Sequence, residues 1–273
     1  MLTGSVMGLM LLIGGVQADI YRSQDEFGNT IFSDRPAIDA EKIELHTSPY
    51  RYRVSVRQVI DGDTLVLDDG EKVRLIGINT PEVESRFTRS QAGGDEAREW
   101  LRNKLDEPIV WLEYGAEQFD KYGRRLAHVF LDSGEYLNAS LLREGLAMLT
   151  LTPPNLRYSE QLIAAQQEAE EANRGIWQRP EYQLKSQAQF QPGSSYPGWQ
   201  RWLLTPRQLS ESRQYMNLIV SEHWILRIPK SHLALFPPLT QYLDRPVEVR
   251  GWLRRQGHQH SMLIQHPSAM LRK

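Results

Sequence analysis

Three short apolar runs follow one another between residues 54 and 78 of the chain. VSVRQVI, TLVL and KVRLIGI are rich in β-branched residues and are separated by DGD and DDGE, which are turn-forming stretches. Such runs between turn signals are typical of strands. We therefore predict a three-stranded antiparallel meander in this region.

Helical spacing replaces this pattern in GDEAREWLRNKL, where Ala97, Trp100, Leu101 and Leu105 fall on one face. Two further strands, IVWLEY and RRLAHVFL, and two further helices, LNASLLREGLAM and SEQLIAAQQEAEEANRG, complete residues 49–180. Five strands with three helices favour a mainly β fold with α-helices (α+β), built on a five-stranded Greek-key barrel of the oligonucleotide-binding (OB) type.

The segments before and after this domain have other patterns. Residues 1–18 carry no charge and contain an apolar run that ends in Val-Gln-Ala, which indicates a cleaved export signal. An uncleaved anchor is the alternative, but LMLLIGGV is short for a span of about 20 residues. Residues 19–48 predict a small β module of two strands, DIYRSQ and NTIFSD, joined by a turn at 25–29. Residues 181–200, rich in Gln, Ser, Pro and Gly, predict a linker to a C-terminal domain, 201–273.

Composition and charge add two constraints. The chain has no cysteine, so disulfides cannot contribute to its stability. Its net charge is −2, yet residues 181–273 carry 12 basic and 5 acidic side chains. Such a basic surplus favours binding to polyanions through the release of their counterions.

The third predicted strand contains an arginine in apolar surroundings. Alternation places Arg74 on the same face as Ile76 and Ile78, while the opposite face is also apolar. A buried arginine needs an anionic partner because it cannot lose its proton. The sequence leaves two equal alternatives, a salt bridge to a nearby carboxylate or a guanidinium directed at a phosphate.

This strand ends at a stiff corner, Asn79-Thr80-Pro81-Glu82, in which the proline restricts the backbone. In a meander, the start of the second strand and the end of the third lie together, so we expect Asp63 of DGDT to approach Asn79. The Asp63 carboxylate, the Asn79 amide oxygen and the Thr80 carbonyl are hard oxygen donors suited to Ca²⁺. Glu82 is either a solvated loop residue or a functional one.

Farther along, DKYGRRLAHVF places Arg124 and Arg125 where a turn enters a strand. Adjacent strand residues face opposite ways, so at most one of the two can join Arg74. We expect the other to lie at the surface.

VIDGDTLVL, VRLIGINTPE and DKYGRRLAHVF, in this order, resemble the staphylococcal nuclease (thermonuclease) family over about residues 50–180. The resemblance implies calcium-dependent hydrolysis of DNA and RNA, with cleavage at the 5′-oxygen that leaves 3′-phosphate ends. It implies these roles: Arg74 and Arg124 as catalytic arginines, Glu82 as general base, and Asp63 and the Thr80 carbonyl as metal ligands.

Two departures from the family accompany this resemblance. Asn79 replaces a metal-binding carboxylate, which predicts weaker calcium binding. In the segment after GLA, where the well-studied member of the family has tyrosines that contact the nucleotide, this chain has MLTLTPP. Tyr122 is present and is therefore a candidate for substrate binding.

The tail resembles an OB-like second barrel that is attached to some members of the family, on the stretches WILRIPKSHL, RPVEVRGWLRR and HSMLIQHPSAMLRK. Arg250, Arg254 and Arg255 are candidate nucleic-acid contacts there. Trp224 and Trp252 are either surfaces on which bases stack or core residues, and the core interpretation is favoured.

We therefore predict an exported, periplasmic or secreted, calcium-dependent endonuclease that acts on single-stranded or frayed DNA and RNA and has no membrane span after signal removal. One alternative is a module of the same fold that binds nucleic acid or protein without hydrolysis. Another is an envelope structural protein whose tail binds a partner. The arginine and glutamate set favours the enzyme, whereas Asn79 favours the binding module.

Overall fold

The computed structural model describes residues 20–24, 30–33, 41–43, 50–84 and 90–273. The predicted export signal and the predicted turn at 25–29 lie outside the described residues. The chain divides into two compact units, Met1–Pro49 and Tyr50–Lys273. None of the helices in the described ranges has the length and apolar character that a membrane crossing requires.

The first unit contains an antiparallel sheet in the order β2-β1-β3, made of β1 (Ile20–Gln24), β2 (Thr30–Ser33) and β3 (Glu41–Ile43). Strands β1 and β2 pair with Tyr21 opposite Ser33, so the two predicted strands are confirmed. Strand β3 was not predicted, because three residues are too few for alternation to be recognised.

The second unit begins with the predicted barrel region. Its elements are β4 (Tyr52–Asp61), β5 (Thr64–Leu67), β6 (Lys72–Leu75), β7 (Ile78–Asn79), α1 (Gly94–Lys104), β8 (Ile109–Phe119), β9 (Arg125–Phe130), α2 (Leu137–Arg143), β10 (Met148–Leu149) and α3 (Ser159–Glu171). Five strands close a barrel in the order β4-β5-β6-β9-β8, in which only β6 and β9 are parallel neighbours. The meander, the five-stranded barrel and its three helices are confirmed.

Tight packing at β5 fixes the position of the turn that precedes it. All four side chains of β5 are buried, and Leu65, Val73 and Leu112 in the barrel core are fully inaccessible to solvent. Helix α1 packs against this region through Ala97 and Leu101, four residues apart and therefore on one face. The ends of β5 and β6 are thus held rigidly.

The C-terminal strands form an eight-stranded sheet. They are β11 (Leu184–Ser186), β12 (Trp199–Leu204), β13 (Gln208–Glu211), β14 (Tyr215–Ser221), β15 (Trp224–Pro229), β16 (Val247–Gln256), β17 (Gln259–Leu263) and β18 (Met270–Arg272). The order is β11-β12-β16-β17-β15-β14-β13, and β18 also pairs with β16. The predicted second β domain is present, and Trp224 lies in its core at 0% exposure.

Two short 3-10 helices, Gly175–Gln178 and Pro180–Tyr182, lie between α3 and β11, and four more lie between the C-terminal strands, at Gln187–Gln189, Lys230–Leu235, Leu239–Tyr242 and Pro267–Ala269.

The segment at 181–200, expected as a linker, is largely exposed but contacts the rest of its unit at several points. The hydroxyl of Tyr182 donates to the Ala92 carbonyl at 2.9 Å, and β11 pairs in parallel with β12. Phe190 and Tyr196 stack on each other against the C-terminal core. The polar composition of the segment predicted a loose connection, but Tyr182, Phe190 and Tyr196 attach it to the rest of the unit.

Candidate active site at the ends of strands β5 and β6

The turn between β4 and β5 places two carboxylates next to each other. Oδ1 of Asp61 accepts a hydrogen bond from the backbone N–H of Asp63 at 3.0 Å. The residue between them must be glycine, because a Cβ on Gly62 would lie 2.6 Å from the Ala97 Cβ and 2.7 Å from the Thr80 Cγ2. The turn therefore packs closely against α1 and against the corner that follows β7.

Asp63 is 4% exposed and connects three parts of the site. Its Oδ2 accepts from the Thr80 N–H at 2.7 Å, and its Oδ1 accepts from the Thr64 hydroxyl at 3.1 Å. The guanidinium of Arg74 forms an ion pair with the same carboxylate. The structure thus brings Asp63 and the Asn79–Thr80 corner together, as the meander predicts.

Arg74 uses part of its guanidinium for protein contacts. Besides the ion pair with Asp63, its Nη2 donates to the Asn79 Oδ1 at 3.0 Å. The side chain is 13% exposed and lines a cavity of about 470 Å³. The salt-bridge alternative is therefore realised, and the arginine still faces open space.

Arg124 lines the same cavity and is oriented by Asp120. Oδ2 of Asp120 accepts from the Arg124 Nε at 2.7 Å, while Oδ1 accepts from the backbone N–H groups of Tyr122 and Arg124 at 2.9 and 3.0 Å. The Arg124 Nη1 lies 3.5 Å from the Thr64 hydroxyl oxygen. Arg125 faces the other way and donates to Glu71, so only one of the two arginines joins Arg74.

Asp120 was not predicted as a site residue. A signal was present in the spacing DKYGR, because an aspartate before a glycine turn commonly accepts hydrogen bonds from the backbone that follows it.

The backbone of Glu82 is clamped to Gln91. The Glu82 N–H donates to the Gln91 Oε1 at 3.2 Å, and the Gln91 N–H donates to the Glu82 carbonyl at 2.8 Å. Gly94 also lies against this carbonyl, since a Cβ there would be 2.4 Å from its oxygen. In contrast, among the described residues the Glu82 carboxylate has no hydrogen-bond or ion-pair partner.

Two carboxylates of the site, Glu82 and Asp61, have raised pKa values. Burial raises the pKa of Glu82, and the negative charge of Asp63 adds to this, while Arg74 and Arg124 act in the opposite direction. Burial, with a further contribution from Asp63, raises the pKa of Asp61 to about 7. The contribution of Asp63 to both shifts shows that the three carboxylates lie close together, and such a group of carboxylates favours binding of an additional cation.

Calcium fits most of the donors of this site. Within the described ranges, no three His, Cys, Asp or Glu side chains group as a metal site. However, Asp61, Asp63 and the Thr80 carbonyl are hard oxygen donors of the type that Ca²⁺ binds. Asn79 fits less well, because its amide nitrogen donates to the Thr80 carbonyl at 2.8 Å and its oxygen is held by Arg74.

The other predicted substrate contacts differ in their surroundings. Tyr122 is 72% exposed and lines the cavity. Arg254 is exposed, and Arg255 donates to the Gly193 carbonyl. Arg250 corrects the expectation of a surface contact: it is 8% exposed, because Glu170 and Glu248 draw its guanidinium inward.

Gln265, from the C-terminal sheet region, also lines the cavity and was not predicted. Nothing local in the sequence indicates this position, because the residue it contacts, Thr152, is 113 residues away.

Two family models and several known nucleases match parts of this chain. A family model described as staphylococcal nuclease homologue matches residues 72–179, and one described as a domain of unknown function (DUF4124) matches residues 7–50. The thermonuclease of Staphylococcus intermedius is 44% identical over 127 residues, which cover 45% of this chain and 75% of the relative. The thermonuclease of Staphylococcus hyicus is 40% identical over 125 residues (45% and 73%), and endonuclease YncB of Bacillus subtilis (strain 168) is 34% identical over 134 residues (47% and 63%).

Proposed function

The chain belongs to the staphylococcal nuclease family, and from that premise we propose that it is a calcium-dependent endonuclease of DNA and RNA. Family membership makes it a nuclease of the hydrolase class. The proposal adds the metal, a preference for single-stranded or frayed substrates, and cleavage at the 5′-oxygen that leaves 3′-phosphate ends. The endonuclease relative supports internal cleavage.

The observation that carries the proposal is the state of the Glu82 carboxylate. It has a raised pKa and no partner among the described residues, and the charges of Arg74 and Arg124 both act on it. A carboxylate that is held by a clamped backbone and forms no ion pair with the described residues is suited to accept a proton.

The two arginines are suited to hold the phosphate of the substrate. Each guanidinium is fixed by a carboxylate, Arg74 by Asp63 and Arg124 by Asp120, and both line one cavity. Charge that develops on the phosphate oxygens during attack would be stabilised by donors already in place.

In the proposed reaction, Glu82 accepts a proton from a water molecule as the water oxygen bonds to phosphorus. The bond from phosphorus to the 5′-oxygen then breaks, and the departing oxygen takes a proton from solvent. Arg74 and Arg124 neutralise the added charge throughout.

A calcium ion held by Asp63 and the Thr80 carbonyl would polarise a phosphate oxygen as a Lewis acid. The Asn79 oxygen already accepts a hydrogen bond from Arg74, so it would have one lone pair left for the ion and would lie beside a positive charge. We therefore propose Asp63 and Thr80 as the main ligands, with Asn79 as a third that binds less readily.

The test is release of acid-soluble nucleotides from heat-denatured DNA, measured with calcium, with magnesium and with a chelator. We expect release that depends on calcium and falls about 1,000-fold or more in Glu82→Gln, since this change removes the base. Glu84→Gln is the matched control, because Glu84 is an exposed glutamate two residues away. Equal rates for the two variants would refute the assignment of Glu82.

The second candidate is a binding module without hydrolysis, and the contact between the Asn79 amide nitrogen and the Thr80 carbonyl favours it. It predicts binding of single-stranded nucleic acid with no release in any metal. The assay above therefore separates the two functions.

We also propose export, with cleavage after Ala18, on the basis of the uncharged apolar residues 1–18. The corresponding domain division is a module at 19–48, a nuclease domain at 49–180 and a basic domain at 201–273 joined by 181–200. N-terminal sequencing of the protein recovered from the periplasm or medium should begin at Asp19.

A further inference from the structure

A second cavity of about 210 Å³ adjoins the one that contains Arg74 and Arg124. Thr150 and Gln265 line both cavities, so the two share a wall. This wall joins the two halves of the unit, because the Gln265 Nε2 donates to the Thr152 hydroxyl oxygen at 3.2 Å. The space around the candidate site therefore continues toward the C-terminal sheet.

One face of β16 forms much of the second cavity. Alternate residues of this strand share a face, and along it the side chains change from buried to exposed. Glu248 and Arg250 are buried in ion pairs, whereas Trp252 is 39% exposed and Arg254 is also exposed. The outer half of this face thus presents an indole and a guanidinium to the cavity.

Within the described residues, these two side chains are held less than their neighbours on the strand. Trp199, Trp202 and Trp224 are at most 4% exposed, so the exposure of Trp252 is unlike that of the other tryptophans of this domain. In the described part of the chain, Arg254 has no hydrogen bond or ion pair.

An exposed indole beside a free guanidinium matches the chemistry of single-stranded nucleic acid. Base stacking on an aromatic ring is tolerant of sequence, and an arginine nearby pairs with the backbone phosphate. The second cavity shares a wall with the cavity that Arg74 and Arg124 line, so one nucleic-acid strand can occupy both. This favours a nucleic-acid ligand over a protein partner.

We propose that the second cavity is a nucleotide subsite, in which a base stacks on Trp252 and a phosphate pairs with Arg254, away from the scissile bond. This inference rests on the proposed function, and it deepens it by assigning the C-terminal domain to substrate binding. It predicts that affinity increases with strand length until this subsite is filled.

The test measures binding of fluorescent oligothymidylates of about two and about ten nucleotides, a span that an OB-type surface can cover. The protein is the full chain with Glu82→Gln, in calcium, so that turnover does not interfere. We expect Trp252→Ala to weaken binding of the longer strand about tenfold and to remove most of the gain with length. Arg254→Ala should lower the dependence of log affinity on log salt by about one phosphate contact.

Arg213→Ala is the matched control. Arg213 is an exposed arginine of the same domain that lines neither cavity, so its loss changes the net charge equally. The subsite is supported if Trp252→Ala loses the gain with length and Arg254→Ala shows the smaller salt dependence, while Arg213→Ala keeps both properties of the parent protein.

An unchanged gain with length in Trp252→Ala, an unchanged salt dependence in Arg254→Ala, or equal changes in the control would overturn it. If the protein with Glu82 intact cleaves nothing but binds the longer strand through Trp252, the proposed function fails and the subsite stands. If it neither cleaves nor binds, both fail.

Discussion

The candidate site and the Glu248 cluster both set carboxylates against arginines, but their charge balance differs. The Glu248 cluster consists of Glu170, Arg201, Glu248, Arg250 and Lys273. Glu248 is 0% exposed and forms ion pairs with all three cations. Burial alone would raise the pKa of Glu248, yet the charge of Arg250 and hydrogen bonds from Arg201 and Lys273 lower it to about 2.

In the candidate site the carboxylates exceed the cations, and burial raises the pKa of both Asp61 and Glu82. The comparison shows that carboxylates neutralised by surrounding cations hold a structure together. Carboxylates left in excess beside a cavity are available for a proton, a metal ion or a substrate.

The largest expected effect is on stability, from Glu248→Gln. The change leaves Arg201, Arg250 and Lys273 with less negative charge in a buried place, which costs about 3–5 kcal/mol of unfolding free energy. Urea unfolding of the full chain measures it. Glu168→Gln is the control, because Glu168 pairs with Arg143 and Arg174 at the surface, where solvent screens the charges and the loss should be far smaller. Similar losses in both variants would contradict the structural role of the cluster.

A comparable effect on catalysis is expected from Arg124→Lys. Lysine keeps the charge but loses the planar fork that meets both Asp120 and a phosphate, so kcat should fall about 100- to 1,000-fold. Arg125→Lys is the neighbouring control on the opposite strand face, where the arginine contacts Glu71. If both substitutions reduce kcat equally, Arg124 has no special role.

The pH dependence of stability should also distinguish the Glu248 cluster from the candidate site. Because the pKa of Glu248 is about 2 in the folded chain and 4.5 in its reference state, its contribution is present above pH 4.5 and is lost as pH falls toward 2. The difference in unfolding free energy between the unsubstituted chain and Glu248→Gln should therefore shrink by about 3 kcal/mol over this range. A difference that stays constant would show that the carboxylate titrates at its ordinary pKa.

The smallest effect is expected from Asp120→Asn. The amide retains one acceptor oxygen but loses the charge that fixes Arg124, so kcat should fall about tenfold with little change in KM. Combined with Arg124→Lys, it should add almost nothing, because both changes act through one guanidinium. Full additivity in the double variant would mean that Asp120 acts elsewhere.

Local patterns were sufficient to predict much of the fold. Alternation identified β4 to β6, and the meander then required Asp63 to meet the corner at Thr80, which it does. Arg74 could be identified as a residue needing an anion because its neighbours on both strand faces are apolar.

Partners supplied from distant parts of the chain could not be predicted. Arg250 and Arg254 look equivalent in sequence, but Glu170, 80 residues earlier in the chain, pairs with the first and leaves the second free. Trp224 and Trp252 differ for a similar reason, since the sheet covers one and leaves the other open. Such differences arise from contacts between residues that are distant in the sequence, and local sequence patterns carry no information about these contacts.

The clamp between Glu82 and Gln91 has a consequence for which substitutions this chain can tolerate. Its two hydrogen bonds, together with the close approach of Gly94, tie the Glu82 backbone to the residues at which α1 begins. Any side chain at position 94 would push against the Glu82 carbonyl and would displace Glu82 without touching its carboxylate. The start of α1 is therefore a place where a single change of sequence can reposition Glu82 from outside the cavity.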